Sequence, residues 1–240
     1  MSAHANADDH HHHHSMRPED WPDDAQVGTA SVGKVGMWIF LLTDALMFAG
    51  FLLAYGILRG EQAASVNGEL IEYWRCSAEL MAQGVDCFAP EPVLGINFTA
   101  ALTFLLICSS VSMVMAYAAC VEKDRAGTLK WLGLTILGGA LFLCGQYDEY
   151  FGLIFSHGLI NEGLIFGQST YATTFYLITS FHGCHVLTGV IYLSVMWVRV
   201  WMGKYDDGNY DHIEILGLFW HFVDLIWILV FTLVYLVPIE

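Results

Sequence analysis

Five ionisable side chains stand inside stretches of this chain that are otherwise almost wholly apolar: Asp44, His182, His185, His221 and Asp224. His182 and His185 lie three apart in Phe181-His-Gly-Cys-His-Val186, a workable ligand spacing, and imidazole suits many metals and haem iron. No Cys or carboxylate flanks them in a ligand motif, so hydrogen-bonded interior histidines are the favoured reading and ligation the other. Asp44, in Trp38-Ile-Phe-Leu-Leu-Thr-Asp-Ala-Leu-Met-Phe48, is an intramembrane carboxylate of the kind that relays protons in pumps. One isolated carboxylate per helix fits a structural or lipid-head contact better. Asp224 lies in Trp220-His-Phe-Val-Asp-Leu-Ile-Trp227. At about 100° per residue, Trp220, Asp224 and Trp227 fall on one side of a helix, with His221 beside them, and that side requires protein against it. No catalytic set and no metal site is expected, since there is neither a CxxC nor a zinc-type spacing.

These residues are carried by five long apolar segments, at about 32–58, 94–119, 129–147, 171–198 and 215–237. A hydrocarbon core of about 30 Å needs about 20 residues of helix, and each segment supplies roughly that. Inside lipid the backbone must satisfy its own hydrogen bonds, so five spans predict five helices and no strands. The fold class is all-α: a polytopic membrane protein, a bundle of five transmembrane helices occupying 31–240. Composition agrees, with 56% hydrophobic and only 14% charged residues, against about 25% charged in soluble proteins. Residues 1–30 are acidic and His-rich, without apolar period, and are expected to be disordered. They show no basic region followed by an apolar run, so no cleavable signal peptide is expected. The His10–His14 run reads either as a tag or as a native metal-attracting tract. A net charge of −15 with nine scattered Lys and Arg excludes a nucleic-acid binder.

The distribution of Lys and Arg orients the bundle. With a cytoplasmic N-terminus, Arg17, Lys34, Lys123, Arg125, Lys130, Arg199 and Lys204 lie inside, and only Arg59 and Arg75 outside. Asp44 and Asp224 then lie roughly 12 Å from the inner boundary at 1.5 Å per residue, and His182 and His185 reach a similar depth from the other side. Asp44, His182, His185, His221 and Asp224 are therefore expected to share one layer. The outer loop carries Cys76 and Cys87; a disulfide is the favoured reading and two free thiols the other. Small residues let helices approach in lipid. Ser180, Gly183, Cys184 and Thr188 make one such stripe, Ser109, Ser112 and Ala116 another, and Gly133, Gly138 and Gly139 thin the third span. Asp148 and Glu149, between Tyr147 and Tyr150, are expected at the outer interface among belt aromatics. Arg199 is placed either to meet a lipid phosphate or simply to anchor the inner end.

Trp220 through Trp227, preceded by Glu214, resembles the signature of the final helix of haem–copper oxidase subunit III. Phe181-His-Gly-Cys-His-Val186 followed by Gly189 is similar to that family's penultimate helix. Gly36 through Phe48 looks like the helix with its intramembrane carboxylate, and Gln146–Tyr150 with Thr174-Phe175 fill in the spans between. The resemblance runs from about Val32 to Val237, in order. It implies an accessory, non-catalytic subunit III of a bacterial proton-pumping terminal cytochrome c oxidase in aerobic respiration. Such a subunit stabilises subunit I, lipids and the proton-uptake side. It also implies partners in subunits I and II and a possible small subunit IV, with cytochrome c or another donor serving the complex. Haem and copper would sit in the partner subunits, with none in this chain, and phospholipid would be bound. Asp44 takes the place of the family's carboxylate and Arg199 that of its lipid-contacting arginine. The other intramembrane polar positions so marked are His182, His185, Glu214, Trp220, His221 and Asp224. The chain departs from the pattern in three ways. The fuller form has two further helices, its carboxylate is usually Glu, and its paired histidines at the end of the second helix are here Ala118 and Ala119. Because those two helices form one wall of the lipid cleft, another subunit or differently packed lipid would have to fill it. A subunit III-like partner of a quinol oxidase or nitric oxide reductase is the alternative within the family. A small proton-coupled transporter is the alternative outside it, but such proteins favour internal repeats and none is visible here.

Overall fold

In a computed structural model, which describes residues 32–63, 95–152, 158–160, 166–167, 170–205 and 211–236, every regular element is a helix. The acidic N-terminal segment, the His10–His14 run and the Cys76/Cys87 pair fall outside the described residues. The helices are α1 (Val32–Ala63), α2 (Ile96–Val121), α3 (Arg125–Phe151), α4 (Thr170–Trp201) and α5 (Asp211–Val230), the last continuing into a π-helical turn, Phe231–Leu236. Among the described residues, five helices are long and apolar enough to cross a membrane. The chain is a multi-pass helical membrane protein.

Local chemistry sets the ends. α3 begins four residues before the apolar run, because the Asp124 carboxylate accepts the Gly127 N–H at 3.0 Å and caps it. Its far end is closed by Gly152 in the left-handed conformation (φ 64°), whose N–H donates to the Asp148 carbonyl at 2.7 Å. Only three residues separate α2 from α3, so the two run antiparallel as neighbours. At their crossing a Cβ added to Gly138 would stand 2.7 Å from Ser109 Cβ, so a glycine is required for this approach.

α5 is the axis of the bundle, packing on α1, α2 and α4, while α3 fills the space beside α2 and α4. Trp220 and Trp227, among the most deeply buried large side chains, project from α5. Trp220 lies in a cradle of two glycines: Cβ atoms on Gly139 and Gly189 would come within 2.6 and 2.8 Å of its ring. α1 is peripheral, packing mainly on α4 and α5 and leaving Trp38, Leu42, Leu46 and Leu53 more than half exposed. Such a surface belongs against lipid or another protein.

Two expectations fail here. The Ser180, Cys184 and Thr188 stripe of α4 is exposed, and nothing stands within 4 Å of a Cβ built on Gly183. α4 instead packs through Phe175, Ile178, His182, Val186, Leu193 and Met196. Shape complementarity to Trp220 at Gly189 decides the contact face, and small size alone does not. Asp148 and Glu149 are not interfacial either. They turn into the bundle and are 4% and 3% exposed.

Candidate functional site

The polar residues of the core occupy one seam, ordered along α5. Beside the C-terminal end of α5 the Glu149 carboxyl, on α3, is held from three elements. Thr99 Oγ1 of α2 lies 2.7 Å from Oε1, Gln146 Nε2 donates to Oε2 at 3.0 Å, and the Tyr235 hydroxyl of the π-helical turn donates to Oε2 at 3.4 Å. The same turn is tied to α1, where the Tyr55 hydroxyl donates to the Val234 carbonyl at 3.4 Å. A π-helical turn shifts the backbone ladder by one residue, and here it aims Tyr235 at α3.

Further in, α2 presents hydroxyls to the α5 signature. Trp227 Nε1 donates to Thr103 Oγ1 at 3.0 Å, Ser110 Oγ donates to Asp224 Oδ2 at 2.7 Å, and Trp220 Nε1 donates to Ser109 Oγ at 3.1 Å. Ser109 and Ser110 meet Trp220 and Asp224, and Thr103, two turns earlier on α2, meets Trp227, as antiparallel packing requires. The protein that the Trp220–Asp224–Trp227 face needs is therefore α2. Ser112, one turn below Ser109, shares a 2.7 Å hydrogen bond with Thr135 of α3.

Adjoining flanks of α5 meet α4 and α1. His182 is 1% exposed and its ring lies over Trp227, with centroids 4.8 Å apart and planes 30° apart. His185 faces α1, where its Nε2 is 3.2 Å from Asp44 Oδ1. Its Nδ1 is 2.9 Å from the Phe181 carbonyl. Phe48, one turn beyond Asp44, contacts both imidazoles at 6.4 and 5.4 Å between centroids. Since α4 runs against α1 and α5, Asp44, His185 and Asp224 fall at one level. His182 with Trp227 stands about 4.5 Å to one side of it, and His221 about as far to the other, at 1.5 Å per residue. The five groups thus lie within two helical turns of one another along the bundle axis. His221 is only half-buried.

Glu214 sits in the first turn of α5. Lys34 Nζ of α1 lies 2.8 Å from its Oε2 and 3.8 Å from Asp211 Oδ1, and the Tyr117 hydroxyl donates to the same Oε2 at 3.4 Å. Arg199, half-buried in the last turn of α4, stands 5.5 Å from the Tyr205 ring. Beyond the helix, burial pushes the Tyr205 phenol above its ordinary range, and the Arg199 cation pulls against it.

This arrangement is suited to holding helices together. Asp44, Glu149, Asp224 and Glu214 are each paired with a side chain on another helix. Among the described residues, no three His, Cys, Asp or Glu side chains gather as a metal site would need. The cavity of note is an apolar groove of about 530 Å³ on the α3–α4 face, lined by Tyr150, Phe151, Phe166, Tyr176, Phe181 and Cys184. Glu149 and Ser110 were not singled out for this seam from sequence. Their partners come from helices far away in the chain, and only the bare presence of a carboxyl and a hydroxyl in apolar stretches pointed to them.

Residues 25–238 match the family model described as Cytochrome c oxidase subunit III. Among curated proteins, Cytochrome c oxidase subunit 3 of Synechocystis sp. is 34% identical over 210 residues, covering 87% of this chain and 77% of that protein. Its counterpart in Thermostichus vulcanus is 34% identical over 203 residues, covering 84% and 86%. Cytochrome bo(3) ubiquinol oxidase subunit 3 of Pseudomonas putida is 29% identical over 205 residues, covering 85% and 86%.

Proposed function

Because the chain belongs to the cytochrome c oxidase subunit III family, a family of haem–copper oxidase subunits, we propose that it serves as the accessory subunit of a proton-pumping terminal cytochrome c oxidase. The complex would transfer electrons to oxygen, with haem and copper in partner subunits. This chain would stabilise subunit I, retain lipid and guard the proton-uptake side. The observation that carries the reading is the family match across 25–238, which takes in all five helices and the seam between α2 and α5. Relatives named cytochrome c oxidase subunit 3 at 34% identity favour a cytochrome c oxidase. The ubiquinol oxidase relatives at 29% keep a quinol oxidase as the second reading.

In this reading the protein is a bacterial inner-membrane protein with its N-terminus in the cytoplasm and its C-terminus in the periplasm, as the Lys and Arg distribution favours. The exposed faces of α1 and α4 meet subunit I or lipid, and the apolar groove beside Tyr150 and Phe181 takes an acyl chain. Arg199 is placed near the inner surface, where it meets a lipid phosphate. Asp44, His182, His185, Glu214, Trp220, His221 and Asp224 fix the helices that carry these surfaces. Deleting the chain from its host tests the donor assignment. Loss or accelerated turnover-dependent decay of cytochrome c oxidation in membranes, with quinol oxidation intact, is the expected result. Selective loss of quinol oxidation would move the chain to the second reading, and no effect on either would reject both.

A further inference from the structure

Around Glu149 the hydrogens can be counted. Thr99 has a single hydroxyl hydrogen, yet its Oγ1 lies 2.7 Å from Glu149 Oε1 and 3.2 Å from the Gly95 carbonyl oxygen. A carbonyl can only accept. When the hydroxyl hydrogen serves Gly95, the contact with Glu149 has a hydrogen only if the carboxyl supplies it. Gln146 Nε2 and the Tyr235 hydroxyl both donate to Oε2, at 3.0 and 3.4 Å, so that oxygen is the accepting end and Oε1 is left to carry a proton. With Oε1–H donating to Thr99 and Thr99 donating to Gly95, each contact in the series has one donor and one acceptor. Turning the Gln146 amide over would set its oxygen against Oε2 and would call for the same proton there.

An ionised carboxyl fits these surroundings less well. Glu149 is 3% exposed, and a buried charge is costly unless an opposite charge meets it. Among the described residues, the cations that meet carboxyls do so elsewhere: Lys34 at Asp211 and Glu214, and His185 at Asp44. The titratable groups around Glu149 are Tyr235 of the π-helical turn, Asp148 and Tyr150 of α3, and Tyr176 of α4. None of them brings a positive charge. A hydroxyl that donates to a carboxylate closes to about 2.5–2.7 Å, whereas the Tyr235 hydroxyl stands at 3.4 Å.

We propose that Glu149 is a proton-binding site, held at neutral pH as a neutral carboxylic acid whose proton sits on Oε1 and is donated to Thr99. The bound proton completes a clasp between three elements, since Thr99 belongs to α2, Glu149 to α3 and Tyr235 to the turn that continues α5. With the proton removed, Thr99 must release Gly95 or leave Oε1 bare, and a negative charge without a counter-ion remains in the interior. The clasp is therefore complete only in the protonated form. The inference rests on this chain's own geometry and stands whichever donor serves the complex.

Infrared spectroscopy of the intact purified complex, with glutamate labelled by carbon-13 and with exchange into heavy water, tests this directly. A protonated-carboxyl band that shifts with both isotopes is expected in the wild type and should be missing from Glu149→Gln. Loss of a carboxylate band in its place would overturn the proposal. Glutamine carries an N–H where the acid carries its O–H, so the variant keeps the hydrogen-bond directions of the site. Glu149→Asp, which removes the glutamate label but keeps a carboxyl, is the second variant and should lose the same band. Proton counting gives an independent readout. A glutamate in water is ionised at pH 7, so unfolding the complex in dodecyl sulfate at that pH should release about one more proton per chain from the wild type than from Glu149→Gln. An indicator dye in weak buffer reads the difference, and equal release would overturn the proposal.

Discussion

Substituting Gly189 by Ala places a methyl group 2.8 Å from Trp220 Cζ3, 2.9 Å from Cε3 and 3.2 Å from Phe219 Cε1. Carbon atoms in contact prefer about 3.5–4.0 Å, so the methyl overlaps a rigid ring by nearly 1 Å. The ring has no free direction, because Gly139 closes its other edge and its Nε1 is tied to Ser109. Overpacking of this kind costs about 1–3 kcal/mol, and displacing the indole adds about 1 kcal/mol for the weakened hydrogen bond. The gain in helix propensity from Gly to Ala returns at most about 1 kcal/mol. The net expectation is a loss of about 1–3 kcal/mol. Gly183→Ala is the control on the same helix, six residues away and with nothing within 4 Å, and it should be neutral or slightly stabilising. Thermal or denaturant unfolding of the detergent-solubilised complex, following this chain, measures both. Replacing Trp220 by Phe in the Gly189→Ala background should recover part of the loss, since the two residues are in contact and their effects are not additive. Equal stability of Gly189→Ala and Gly183→Ala would refute the packing described for α4 and α5.

Three other outcomes are expected. Glu149→Gln should cost less than about 1 kcal/mol, because an amide oxygen can still accept from Gln146 and Tyr235 while its NH₂ faces Thr99, whose hydroxyl also reaches the Gly95 carbonyl. Glu149→Leu removes the acceptor these groups share and should cost about 2–5 kcal/mol, read by the same unfolding assay. Asp44→Asn, which weakens the tie to His185, should leave initial electron transfer largely intact while changing lipid content or turnover-dependent inactivation; immediate loss of all activity would contradict an accessory role. Non-reducing peptide mapping of the segment between α1 and α2 should find Cys76 joined to Cys87, and two free thiols would remove that bridge from the account.

The spans were legible in the sequence because hydropathy over some 20 residues is a sum that survives local error. The matching height of Asp44 and His185 was legible for the same reason, since a fixed rise per residue converts sequence position into height. Asp44 meets His185, and His182 is one step away. Direction around each helix was harder to read. A lipid-facing surface is as apolar as a buried one, so nothing in α4 distinguished Gly183, which faces outward, from Gly189, which receives Trp220. The acids near Tyr147 illustrate the same limit. Their place at a helix end suggested the interface, but Thr99 and Tyr235 draw Glu149 inward, and those donors are 50 and 86 residues away. The π-helical turn that aims Tyr235 left no mark in an unbroken apolar run. Capping, by contrast, is local, and Asp124 three residues before Gly127 could have placed the start of α3 correctly.

The central claim is that this chain is an accessory member of a haem–copper oxidase. Affinity purification of the chain from its own membranes, with subunits identified by mass spectrometry and haem by optical spectrum, tests it most directly. The account predicts co-purification with the catalytic and copper-bearing subunits, a haem spectrum from the assembly, and no haem on this chain once it is separated. Purification without any oxidase subunit, or stoichiometric haem on the isolated chain, would contradict it.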